Sequence, residues 1–206
     1  MPARSGPARG FTLIELAIVL LILGVLGSGA FSALSLQIER SRLLEVHAQL
    51  HEAREALLNH AAATGALPCP DRSGDGEPDA CNATGVTTGE LPWHLLGLPA
   101  RDPWGQPLRY TAHAAFTGAQ PIALASLGGI EILALEAGGA TQSLARPDAV
   151  VMALWSVGAD GLSATAPPLA AHRVVARGPD VDDQAIWLSR FVLIGRMLET
   201  GHVLLE

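Results

Sequence analysis

Gly10-Phe11-Thr12-Leu13-Ile14-Glu15-Leu16 places a single glutamate near the start of an apolar run of membrane length. From Phe11 to Leu36 the only formal charge is Glu15, and a helix of ~20 apolar residues is long enough to span a bilayer. A carboxylate at the centre of such a helix costs about 2.5–3.5 kcal/mol on insertion scales, and less near its end. Leucine at this position would make a better anchor. The glutamate therefore points to an interaction made inside the membrane.

Met1–Gly10 is short and basic, with Arg4, Arg9 and no acidic residue, so the excess of positive charge keeps it in the cytoplasm. Its charge suits a signal-peptide n-region, but the apolar run behind it is too long for an h-region and no small-x-small site closes it. Gly10 instead meets Phe11 at the cytoplasmic face, within reach of a membrane protease. Gly10-Phe11-Thr12-Leu13-Ile14-Glu15-Leu16 resembles the cleavage and methylation motif of type IV pilins and type II secretion pseudopilins. The resemblance implies that a prepilin peptidase cuts after Gly10 and N-methylates Phe11. It also implies that the apolar helices pack as a filament core, with Glu15 meeting the Phe11 amine of a neighbouring subunit. A cationic amine neutralises a carboxylate most effectively where water is scarce.

The expected organisation is a leader over 1–10, a transmembrane half-helix over 11–35, a periplasmic half-helix over 36–64 and a globular head over 65–206. Cutting the leader leaves roughly 170 residues beyond the apolar run, the size of one domain. The chain is acidic, at −7, and all 13 basic residues are arginine. Phosphate contact needs clustered Arg or Lys, so nucleic-acid binding is not expected. Leu36, Leu43, Leu50 and Leu57 recur every seven residues, with Val46 and Ala53 on the same seam, before the spine ends at Thr64-Gly65. Such a seam suits a coiled coil, or a helix packed on the protein's own sheet. The second reading matches a pilin-like α+β fold, a long N-terminal helix packed on an antiparallel sheet.

Cys69 and Cys81 are the only cysteines, and the membrane topology places them in an oxidising compartment, so a disulfide is expected. Between them Asp71, Ser73 and Asp75 precede Gly76, with Asp79 further on. This is the spacing of the first half of an EF-hand-type calcium loop, although Asn82 replaces the closing glutamate. The same residues equally make an acidic, disulfide-closed turn.

Asp102-Pro103-Trp104-Gly105-Gln106-Pro107, then Ser156-Val157-Gly158-Ala159-Asp160-Gly161, then a downstream aspartate-rich segment is similar to the head of the major pseudopilin. In that family a calcium ion ties the Gly-Ala-Asp-Gly loop to later aspartates. Transferred here, the resemblance implies Asp160, with Asp182 or Asp183, as calcium ligands. An Asp-Gly turn after a strand also needs no metal. The longer Leu162–Pro179 stretch departs from that pattern.

Strands are expected at Leu108–Thr111, Pro121–Ser126, Ile130–Leu135 and Ala149–Ser156, and a helix capped by Ser189 over Arg190–Thr200. The segment 111–155 and this extension suit a minor subunit better than a major one. No Gly-x-Ser-x-Gly, phosphate-binding loop or His-Glu-x-x-His occurs, so neither an enzyme nor an organic cofactor is expected. His47 and His51, four apart on the spine, share a face that suits a metal or plain solvation.

The expected function is mechanical: a subunit of a type II secretion pseudopilus or related filament. A minor type IV pilin acting at a fibre tip, in adhesion, ligand binding or assembly priming, is the alternative. Its partners would be prepilin peptidase, other pilins or pseudopilins, and an inner-membrane assembly platform. It would sit in the inner membrane as a single-pass protein with a periplasmic head, or in a surface filament.

Overall fold

The computed structural model describes residues 12–118, 122–136, 138–162, 173–178 and 182–204. Two compact units divide the chain, Met1–Leu43 and Leu44–Glu206. Helix α1 (Leu13–Thr64) begins in the first and ends in the second.

In the first unit Thr12 caps the helix. Its hydroxyl accepts from the Glu15 amide at 3.3 Å, and its carbonyl accepts from Leu16 at 3.1 Å. Leu13, Ile14, Leu16, Ile18 and Leu20–Leu23 are exposed in this unit, as are Leu36, Ile38 and Leu43. Among the described residues no helix is long and apolar enough to cross a membrane. The apolar run of the sequence also takes in Phe11 and residues 26–34, which lie outside the described side chains.

In the second unit the spine acquires a buried face. Val46, Leu50, Ala53, Leu57, Leu58 and Ala61 are all buried, at the i, i+3, i+4 spacing of one helical stripe. The helix stops where expected. Gly65 takes φ +88°, a conformation that favours glycine, and its amide closes on Ala61 at 2.8 Å.

The stripe packs against a four-stranded antiparallel sheet ordered β1-β2-β6-β8, formed by β1 (Val86–Glu90), β2 (Arg109–His113), β6 (Val150–Ser156) and β8 (Gln184–Ser189). A short helix, α2 (Trp93–Leu96), lies between β1 and β2 in the chain. Helix α3 (Arg190–Thr200) follows β8, with the Ser189 hydroxyl accepting from the Phe191 amide, and it adds Leu193, Ile194 and Met197 to the same core. Tyr110 is buried in that core, where its hydroxyl donates to the Pro68 carbonyl at 3.0 Å.

Segment 111–155 also contributes two strands to a second sheet. Strands β4 (Glu131–Leu135), β5 (Thr141–Ala145) and β7 (Arg173–Arg177) form a second sheet ordered β5-β4-β7, in which β4 and β7 are parallel. A further parallel pair joins β3 (Ile122–Ala123) to β9 (Val203–Leu204). The second sheet contributes Ile132 and Val174 to a second core with Val150, Ala153, Trp155 and Val157.

Strand β6 is therefore buried on both faces. Met152 and Leu154 face the helices, while Ala153 and Trp155 face the second sheet. A register shift between Val150 and Met152 breaks the alternation, so Val151 joins the helix side and Val150 the other. A continuous apolar run with no polar face is what a two-sided strand requires.

Candidate functional site

Four groups of residues were expected to carry function, and the structure treats each differently. Gly10 and Phe11, the cleavage and methylation positions, lie outside the described residues. Glu15 lies in the first turn of α1, three residues after its cap, where the exposed N–H groups of a helix start favour a carboxylate. Thr12-Leu13-Ile14-Glu15 has the spacing of a capping box, and the Thr12 half of that box is formed. Sequence reasoning passed over Thr12, although a threonine three residues before a glutamate and an apolar run was readable.

Cys69 and Cys81 are bonded, with Cα atoms 5.4 Å apart. Inside the loop they close, backbone amides converge on the aspartates. Asp71 is buried, and its Oδ1 accepts from the Ser73 hydroxyl at 3.1 Å and the Gly74 amide at 2.7 Å. Its Oδ2 accepts from the Gly76 amide at 2.7 Å. Asp79 Oδ2 accepts from the amides of Arg72 at 2.6 Å and Ser73 at 2.9 Å. The Arg72 amide bond is the main reason the Asp79 carboxyl is held below its ordinary range. Asp75 accepts from the Glu77 amide at 2.9 Å. These bonds make the loop a hydrogen-bonded turn.

The fourth group sits among contacts that tie three distant segments together. Buried Asp102 accepts from the Trp104 and Gln106 amides through Oδ1, at 3.0 and 2.8 Å, and from the Ser156 hydroxyl through Oδ2 at 2.5 Å. Ser156 ends β6 and in turn accepts from the Gly158 amide at 3.2 Å. One turn onward Asp182 Oδ2 accepts from the Ala159 amide at 2.8 Å and the Asp160 amide at 3.4 Å. Gly158, at φ +67°, makes this approach feasible, because a Cβ there would overlap the Asp182 carboxylate.

Asp160 and Asp182 thus lie close to each other, joined through the Asp160 amide. Asp160 Oδ1 is itself engaged by the Leu162 amide at 2.7 Å, and Asp183 is buried. Among the described residues no three His, Cys, Asp or Glu side chains are grouped to hold a metal. Here too the donors fit a clasp between loops. The Asp102–Ser156 link escaped sequence reasoning because 54 residues separate its ends.

The head also carries an open cleft of about 470 Å³ between α1 and the edges of both sheets. Its walls include His51 and Arg54 from α1, Leu144 from β5, Ala176 from β7, and Ile186 and Trp187 from β8. No sequence pattern announced it, since its walls come from four separate elements.

Compared with known proteins, residues 7–31 match the family described as the prokaryotic N-terminal methylation motif. No curated protein and no solved structure matches the chain. The matched stretch takes in Gly10, Phe11, Thr12 and Glu15 and ends before the head.

Proposed function

We infer that this chain, which its methylation motif makes consistent with the type IV pilin and pseudopilin family, is a structural subunit of a type II secretion pseudopilus or related filament. The motif implies processing by prepilin peptidase and assembly with other pilins. The observation that carries the reading is the match over 7–31, with Glu15 inside the first turn of the helix that would form the filament core. In this reading the peptidase cuts after Gly10, and Phe11 becomes the methylated terminus. The subunit waits in the inner membrane as a single-pass protein with a periplasmic head. An assembly platform then moves it into the filament, where Glu15 meets the Phe11 amine of a neighbour. The role is mechanical rather than enzymatic, and the reading does not require calcium.

A second reading, a minor type IV pilin at a fibre tip, draws support from the cleft beside Arg54 and Trp187. Leu144, Ala176, Ile186 and Trp187 give that cleft an apolar wall of the kind that holds small ligands.

Mass spectrometry of sheared surface fibres and of the membrane fraction tests both. N-methylated Phe11 peptide in the fibres makes the chain a pilin subunit. The same peptide confined to membranes supports the pseudopilus. Uncut Met1–Gly10 in both fractions, with the peptidase active, ends the filament-subunit reading.

A further inference from the structure

His47 and His51 lie one turn apart on α1, both exposed, with ring centroids 4.5 Å apart and planes tilted by 56°. Spacing in the sequence allows this pairing but equally allows two rings pointing apart into solvent. Neither ring makes a hydrogen bond or ion pair with any described residue, so their nitrogens are available. A metal bound at ~2.0–2.1 Å from an imidazole nitrogen stands about 3.2 Å from the ring centroid, and two rings bound about 90° apart then have centroids about 4.5 Å apart. The observed centroid separation matches that distance, so the two rings are close enough to share one metal.

We propose that His47 and His51 form a two-histidine site for a late first-row divalent metal, taking Cu²⁺ most tightly and Ni²⁺ and Zn²⁺ less so. Imidazole suits these ions, and the order follows their general preference for nitrogen donors. The helix holds both ligands in place, so the second nitrogen binds at high effective concentration. Local charge does not oppose a cation. Arg54, the nearest base on the cleft wall, has its guanidinium 2.7 Å from Glu55, and Glu45 and Glu52 are exposed on the adjoining turns. Water fills the remaining coordination positions.

The test is calorimetric titration of the tag-free full chain in detergent micelles with Cu²⁺, Ni²⁺ and Zn²⁺ salts. His47→Ala and His51→Ala are compared with His94→Ala, an exposed histidine paired with Glu77 elsewhere in the head. The expected result is one Cu²⁺ per chain, with affinity falling about tenfold or more in either spine variant and unchanged in His94→Ala. Electron paramagnetic resonance of the copper complex should show coupling to two nitrogens. Affinity unmoved by the spine substitutions, or a spectrum with one coupled nitrogen, overturns the proposal. Far-ultraviolet circular dichroism verifies the fold of each variant, and His47→Gln and His51→Gln replace any alanine variant that fails to fold.

Discussion

Asp102 shows how much one side chain can hold. Its two carboxylate oxygens satisfy two amides of its own turn and the hydroxyl that ends β6. Truncation would leave those three donors buried or half-buried without an acceptor. Asp102→Ala should therefore destabilise the head by about 2–4 kcal/mol, read from urea unfolding, because unmet buried polar groups cost more than a made hydrogen bond contributes. A loss below about 0.5 kcal/mol would mean that water replaces the carboxylate. Asp182 supports a related expectation. One of its oxygens already bridges the two loops through the Ala159 and Asp160 amides, so the head should keep its fold and thermal midpoint in chelator. A midpoint that falls in chelator or rises with calcium would show that a cation adds to the clasp. The sequence displayed both aspartates inside recognisable turns, but which donors meet them depended on segments brought together across the fold.

Helix α1 is a single element with two environments. Its heptad leucines were visible in the sequence as one seam, but Leu50 and Leu57 are buried in the head whereas Leu36 is 65 % exposed. Periodicity records which residues share a stripe and is silent about where the covering surface ends. Leu50→Ala should cost the isolated subunit about 2–5 kcal/mol, the range for a buried leucine replaced by a cavity. Leu36→Ala should stay within about 0.5 kcal/mol. Equal losses at the two positions would favour packing along the whole seam. Strand β6 was equally legible, because Val150–Trp155 is an unbroken apolar run. Its sidedness was not, since the register shift near Val150 follows from pairing with β8.

Across the whole molecule, pH links these elements. Burial lowers the pKa of His60, on α1, and of His113, at the end of β2, from the ordinary value of 6.5. His113 Nδ1 also accepts from the Ala115 amide at 3.3 Å, a bond open only to the unprotonated nitrogen. The unfolded chain therefore takes up these protons first as pH falls. Their contribution to stability is complete above 6.5 and is lost as pH falls from there through the lower folded values. Asp79, whose folded pKa is also depressed, adds a further loss in acid below its ordinary value of 3.8. The urea midpoint should thus decline between pH 7.5 and 5, and replacing both His60 and His113 with glutamine should flatten that decline. An unchanged slope in the double variant would assign it to other groups.

Local chemistry was enough for the sequence by itself to determine the methylation motif, the helix stop at Gly65, the Ser189 cap and the pairing of the only two cysteines. Each depends on residues close in the chain or on a count that leaves one choice. Only the tertiary structure decided that 111–155 contributes a second sheet, that amides engage the expected calcium aspartates, and that an open cleft forms beside Trp187. These outcomes depend on which distant strands hydrogen-bond to one another, and pairing energy is shared among segments whose individual patterns do not name their partners.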